Sequence, residues 1–307
     1  MKLIFLGTSA GRPTAERNVT SVALRFPEAQ NRFWLFDAGE GTQHRLLGTK
    51  LKLSKLDRIF ITHMHGDHLY GLPGILTSRT FHDGAGKLRV YGPKGLGDYL
   101  DTVLRLSEAH LNYELEVSEI EPGDMLNLDD RYSVETAGLE HRIPCIGYRI
   151  MERPRSGALD LAALARLGVP PGPVYGKLKR GEDVALDDGR VILSSDVVGP
   201  PADGRIVTIL GDTCPCDNAV KLARNADVLV HEATFGAGME EKALHYGHST
   251  ITQAVGIAKR AKAKRLIVTH ISARYGEEEV AAMVAEARKE FPELEAARDY
   301  LEVEVTP

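Results

Sequence analysis

The chain has 307 residues, 43% hydrophobic and 26% charged, with a formal net charge of −5, so it is an ordinary globular chain with enough apolar sequence for a large core. The acidic balance excludes a global attraction to nucleic acid, and any such contact needs a local basic patch. No apolar run approaches the roughly 18 residues of a membrane span. The opening from Met1 to Gly11 reads as a strand and turn rather than a secretory signal. Three cysteines, Cys145, Cys214 and Cys216, form no even framework, which fits a reducing, cytoplasmic compartment.

In chain order, residues 2–7, 19–26 and 32–38 read as strands, with a long Gly/Pro/Arg loop from Gly7 to Asn18 between the first two. Asp37 ends the third strand and either supports a neighbouring metal loop or caps the short helix that reaches Leu47. A strand over 57–62 runs into Thr62-His63-Met64-His65-Gly66-Asp67-His68, then a helical segment over 69–81, a strand over 88–91 and a helix over 95–110. Strands follow near 114–120, 132–139 and 145–151, with His141 just after the second of these.

The alternation then breaks. Residues 152–189 carry a short helix over 160–167, the run Val169-Pro170-Pro171-Gly172-Pro173 and the stretch Lys177-Leu178-Lys179-Arg180, which together read as a protruding arm. Up to Gly181 its Arg153, Arg155, Arg166, Lys177, Lys179 and Arg180 face only Glu152 and Asp160, either a footprint for phosphate contact or an ordinary solvated loop. Strands over 205–210, 228–230 and 265–268 then end at Asp212, His231-Glu232 and His270. Helices over 217–225, 249–264 and 277–291, the second with Ser249 as its expected N-cap, and a strand near 300–305 complete the chain.

Such alternation predicts an α/β layered domain whose site gathers at strand ends. His63, His65, Asp67, His68, His141, Asp212 and His270 all follow predicted strands. Imidazole and carboxylate are the donors that borderline divalent ions prefer, and seven of them suffice for two ions sharing one carboxylate. Asp212 is the natural bridge, because a carboxylate has two oxygens to offer. Gly66 is expected to bend the loop through a positive φ, and Met64 to pack.

His63-Met64-His65-Gly66-Asp67-His68, followed in order by His141, Asp212 and His270, resembles the metallo-β-lactamase superfamily over essentially the whole chain. Phe36-Asp37-Ala38-Gly39-Glu40-Gly41-Thr42-Gln43, His231-Glu232-Ala233-Thr234, His248-Ser249-Thr250 and the arm make the narrower resemblance to the ribonuclease Z family. That resemblance implies an αββα sandwich with the arm inserted at about 152–189 in a single domain spanning 1–307. It implies two zinc ions, one held by His63, His65, His141 and Asp212, the other by Asp67, His68, Asp212 and His270. It further implies removal of 3′ trailers from precursor tRNA, with Asp67 orienting the nucleophile, His248 donating a proton to the leaving oxygen and Glu232 orienting His248. Arg17, Asn18, Lys177, Lys179 and Arg180 are the implied substrate contacts, and a homodimer the implied assembly. The family loop often reads Pro-x-Lys-x-Arg-Asn; here Ala15 stands in place of the lysine, which leaves open how tRNA bearing a CCA end is treated. The competing reading is another dinuclear hydrolase of the superfamily, acting on a small phosphodiester or sulfate ester. A noncatalytic RNA-binding protein with the same fold is disfavoured by the complete donor set.

Overall fold

Alternate residues of the same strands enter two different cores, which is why the strands read as continuous apolar runs. In β1 (Lys2–Gly7), Leu3 and Phe5 join the central core while Ile4 and Leu6 face helices. A computed structural model describes residues 1–26, 29, 31–154, 156–201 and 203–307. The first half adds β2 (Ser9–Ala10), β3 (Ser21–Phe26), β4 (Arg32–Phe36), β5 (Leu56–Phe60), β6 (Leu88–Gly92) and β7 (Leu115–Glu119). The second half contributes β8 (Met125–Asn127), β9 (Tyr132–Leu139), β10 (Cys145–Glu152), β11 (Val184–Ala185), β12 (Val191–Ile192), β13 (Ile206–Ile209), β14 (Val228–Glu232), β15 (Leu266–Thr269), β16 (Ile271–Ser272), β17 (Leu294–Ala296) and β18 (Glu302–Glu304).

Two seven-stranded sheets result, ordered β18-β1-β3-β4-β5-β6-β7 and β17-β15-β14-β13-β10-β9-β8. The first half of the chain forms the first sheet and the second half the other, except that the C-terminal β18 crosses back to pair antiparallel with β1. Between the sheets Phe60 meets Tyr148 with ring centroids 5.3 Å apart, and the fully buried Trp34 lies edge-on to Phe26 at 4.6 Å. The helices α1 (Thr42–Leu47), α2 (Gly66–Leu69), α3 (Leu72–Arg79) and α4 (Leu96–Leu106) belong to the first half, where Leu46, Leu72, Ile75, Leu76, Leu96 and Leu100 cover the outer face of its sheet. On the other side, α8 (Asp217–Leu222), α10 (Ile251–Ala261) and α11 (Glu277–Ala287) cover the second sheet through Leu222, Ala254, Val255, Ala258 and Val280. Helix α9 (Glu240–Tyr246) lies between α8 and α10 in the chain, and α5 (Leu161–Arg166), α6 (Pro173–Lys179) and α7 (Ser194–Val197) belong to the arm.

β4 to β7 run parallel, as do β13, β14, β15 and β17. Their carboxyl ends therefore open on one edge of the sandwich, where the functional residues of α/β proteins gather. Thr250, not Ser249, caps α10: its side chain accepts from the Gln253 amide while Gln253 reaches back to the Thr250 amide. Ser249 instead donates to the Thr213 carbonyl at 2.6 Å.

Between β10 and β13 lies the arm. It is more ordered and longer than 152–189, holding α5 (Leu161–Arg166), α6 (Pro173–Lys179), the β11–β12 hairpin and α7 (Ser194–Val197) before the chain rejoins the sheet at Ile206. Leu164, Val169, Leu178, Val184, Ile192 and Val197 form its own apolar cluster. At its base the buried Glu152 accepts from Arg131 and Arg205. The returning limb carries Glu182, Asp183, Asp187, Asp188, Asp196 and Asp203 against Arg190, which pairs with Asp188, so the unbalanced positive charge is concentrated on and just after α6. Arg155 lies outside the described residues. Among those residues no helix is long and apolar enough to cross a membrane.

Candidate metal centre

The loop after β5 is held by Asp37. Its Oδ1 accepts from the Thr62 amide at 2.7 Å, and its Oδ2 from the Thr62 hydroxyl at 2.8 Å and from His68 Nδ1 at 2.7 Å. Asp37 has φ 58°, a left-handed conformation that a non-glycine residue rarely adopts. His270 has φ 56° at the end of β15. The α1 helix is capped at Gly41, so the helix-capping alternative for Asp37 does not hold. Gly66 does not act through positive φ. A Cβ there would lie 2.2 Å from the Tyr70 ring, so it serves close packing.

The donor atoms of His63, His65, His141 and Asp212 lie within 4.8 Å of one another, and so do those of Asp67, His68 and His270. Asp212 joins the groups, since its Oδ2 is 3.8 Å from His63 Nε2, 3.9 Å from His141 Nε2, 3.5 Å from His68 Nε2 and 3.4 Å from His270 Nε2. His141 Nδ1 donates to the Gly247 carbonyl at 2.6 Å, fixing its tautomer. Thr62, donating to Asp37, accepts from His63 Nδ1 at 2.9 Å, and Thr234, donating to Glu232, accepts from His270 Nδ1 at 2.8 Å. Four rings therefore turn Nε2 inward, while His65 offers Nδ1 at 3.0 Å from His63 Nε2 and 3.2 Å from His141 Nε2. Lone pairs at that spacing match the edge of a tetrahedron around a cation with bonds of about 2.0–2.1 Å. The donor set thus fits divalent metal.

Burial first, then the neighbouring His68, hold the His63 imidazole well below its ordinary range, and burial does the same more mildly for His65 and His141, so these three stay neutral as donors must be. His68 goes the other way: burial disfavours its charge, but Asp212 and then Asp37 outweigh burial and hold the imidazole well above its ordinary range, so a metal ion binding there would have to displace its proton. Burial opposes ionisation of Asp212, but His270 and His68 outweigh it and hold the carboxyl well below its usual range. Asp67 is likewise lowered against burial, chiefly by its hydrogen bond with His270.

Beside this cluster His248 Nδ1 sits 2.9 Å from Glu232 Oε1. Glu232 is fully buried and also accepts from the Thr213 amide at 3.0 Å and the Thr234 hydroxyl at 2.6 Å. Burial disfavours the charged His248 imidazole, yet the bond to Glu232 prevails and raises it to about 8. Of this set His65, Asp67, Asp212, His248 and His270 line an open cleft of about 280 Å³ together with Gly11, Phe235, Tyr246 and Arg274.

All nine predicted ligand and acid–base residues thus meet at one edge, with Asp37 behind them. Other expected contacts lie elsewhere. Arg17 is buried and donates to Thr8, the Ala297 carbonyl and Glu277, and Asn18 bonds Asp299 and the Glu40 carbonyl. Both tie down the loop they sit in. Lys177, Lys179 and Arg180 are exposed on and just after α6, with Arg180 2.7 Å from Glu182. Sequence reasoning missed Gly11, whose amide donates to Asp67 Oδ2 at 2.8 Å, and no side-chain signal could have marked a backbone donor. It also missed the Thr62, Thr234 and Gly247 acceptors, of which Thr62 and Thr234 lay within motifs already singled out.

Known proteins share this arrangement. The family model of the Anti-Pycsar protein Apyc1 matches residues 1–147, and that of the Beta-lactamase superfamily domain matches residues 176–271. The chain is 52% identical to Ribonuclease Z of Bacillus licheniformis, covering 99% of each, and 50% identical to Ribonuclease Z of Geobacillus kaustophilus, covering 98% of this chain and 97% of that one. The crystal structure of the short form of human tRNase Z superposes with a TM-score of 0.74 at 30% identity, covering 100% of both chains. With half its residues shared end to end with these relatives, and with the two-sheet sandwich and strand-end cluster in place, the chain belongs to the ribonuclease Z family of the metallo-β-lactamase fold.

Proposed function

We propose that this protein is a zinc-dependent endoribonuclease that removes 3′ trailers from precursor tRNA. The observation that carries the reading is Asp212, whose single Oδ2 faces both donor groups while His248 stands beside them, backed by Glu232. His63, His65, His141 and Asp212 would hold one ion, and Asp67, His68, Asp212 and His270 a second. Two such ions would polarise the scissile phosphate and lower the pKa of the attacking water. Asp67, steadied by the Gly11 amide, orients that water. His248, its Nδ1 occupied by Glu232, presents Nε2 to the leaving oxygen. Water gives up a proton to solvent as its oxygen bonds to phosphorus, the P–O3′ bond breaks, and His248 supplies the proton to O3′. The tRNA keeps a 3′-hydroxyl and the trailer a 5′-phosphate.

Lys177, Lys179 and Arg180 on the arm are the phosphate contacts remote from the cleft, and Asp37 fixes the His68 ring. Arg17 and Asn18 act through the shape of their loop, since their polar groups are engaged. The enzyme works as a cytoplasmic homodimer, a reading supported by the family and by exposed Leu47, Tyr70 and Phe81. Incubation of metal-loaded protein with a trailer-bearing tRNA precursor tests the function. Cleavage that stops on chelation and returns with zinc is expected. Hydrolysis of a small phosphodiester with no precursor cleavage would favour the competing reading.

A further inference from the structure

One side of the catalytic cleft is a tier of flat groups that the metal chemistry does not use. Phe235 directly follows the motif that carries Glu232 and is almost wholly buried. Its ring is stacked with Tyr246, centroids 6.2 Å apart and planes inclined by 24°, and the Arg274 guanidinium lies over it at 4.9 Å. Phe235 is therefore a backing layer, and the groups that meet solvent are Tyr246, 43% exposed, and Arg274. His245 stands edge-on to the Tyr246 ring at 5.1 Å, bracing it from the side. Arg274 donates from Nε to Ser272 Oγ at 3.0 Å and, among the described residues, forms no ion pair. Arg274 lines the same cleft as Asp67 and Asp212, and its exposed guanidinium, held by Ser272 and the Phe235 ring, is available to an incoming anion.

Position says which part of a substrate the tier would meet. Phe235 lies 6.3 Å from the His248 ring, centroid to centroid. If His248 protonates the leaving O3′, the nucleotide that carries that oxygen is the last one retained by the tRNA, and its base enters the cleft that His248 and Tyr246 both line. An exposed aromatic face offers stacking that any base accepts, and a planar guanidinium suits a phosphate better than an ammonium does. We infer that Tyr246 stacks the last retained base of the tRNA while Arg274 binds a phosphate flanking the scissile one, so that this tier seats the 3′ end for cleavage. The inference rests on the tRNA-processing reading of the same site.

The test pairs protein and substrate changes. Wild type, Tyr246→Ala and Tyr246→Phe are assayed on a precursor with a normal or an abasic nucleotide just before the cleavage site. Kd for mature tRNA with or without that base is measured in parallel. Stacking is worth ~1–3 kcal/mol per base, so the abasic substitution should cost wild type about 5- to 150-fold in kcat/KM and in Kd. Tyr246→Ala should cost a similar factor, and the two together no more than either alone, with Tyr246→Phe close to wild type. Arg274→Lys should weaken tRNA binding with or without the base. Losses that multiply, or a Tyr246→Phe defect as large as that of Tyr246→Ala, would overturn the stack while leaving precursor cleavage intact. A wild-type protein that binds zinc but leaves every precursor uncut would overturn the parent reading and the stack with it.

Discussion

Asp37 and His68 are 31 positions apart and meet at 2.7 Å, carboxylate to imidazole Nδ1, beneath the metal-donor cluster. The bond fixes which nitrogen of His68 faces inward, and the same carboxylate holds the Thr62 amide and hydroxyl from which the donor loop starts. Removing such a partner typically lowers metal affinity by about 10- to 100-fold. Asp37→Ala is therefore expected to lose zinc on dialysis at buffered concentrations that wild type tolerates, with Asp37→Asn intermediate. Metal content by atomic emission checks this, and full retention by Asp37→Ala would remove Asp37 from the site.

The Glu232–His248 pair makes a separate prediction. General acid catalysis contributes about 10²- to 10⁴-fold, so His248→Ala should lose that factor in kcat on a tRNA precursor, with Glu232→Gln losing part of it. A leaving group that departs without a proton needs no donor. On bis(p-nitrophenyl) phosphate the His248→Ala loss should be less than about tenfold. Equal losses on both substrates would contradict the proton-donor role.

On the arm, Lys177, Lys179 and Arg180 are exposed at one end of a short helix. Replacing all three with alanine should raise KM for precursor tRNA, leave kcat near wild type, and reduce the slope of log KM against log salt by about two to three, one for each phosphate no longer neutralised. An unchanged salt dependence would assign the tRNA grip to another surface.

Glu152 ties the arm's base to the sheet. Burial disfavours its charge, but the hydrogen bonds from Arg205 and Arg131 prevail and hold its carboxyl at about 2 against an ordinary 4.5. A carboxyl lowered on folding adds stability that is complete above the unfolded value and fades as pH falls from about 4.5 toward 2. Glu152→Gln should thus be less stable than wild type at pH 7. The gap, read from urea midpoints, should narrow steadily below pH 4.5. A gap independent of pH would mean that the loss comes from packing alone.

Much of the site was legible because its chemistry is written in side chains at strand ends. Three imidazoles and a carboxylate within His63–His68 need no fold to be noticed, and Asp212 and His270 follow runs that can only be buried strands. The outer layer was less visible. Gly11 acts through its amide, and Arg17, which reads as a substrate cation, is drawn inward because Ala297 and Glu277 reach it from a distant part of the chain and Thr8 from its own loop. Gly66 shows the same limit, since a turn glycine and a glycine crowded by an aromatic ring look alike in sequence. The arm's local positive charge was apparent, but not that it folds around Leu164, Leu178 and Ile192 with an acidic returning limb.

Asp212 and the histidines around it, on the proposed function, cut a tRNA precursor at the end of the mature sequence. Mapping the termini of both products after incubation with zinc-loaded protein tests it most directly. The expected products are a tRNA fragment ending in a 3′-hydroxyl just after its last retained base and a trailer beginning with a 5′-phosphate, with neither formed by Asp212→Ala. A 2′,3′-cyclic phosphate on the tRNA fragment, or the same products from Asp212→Ala, would contradict it.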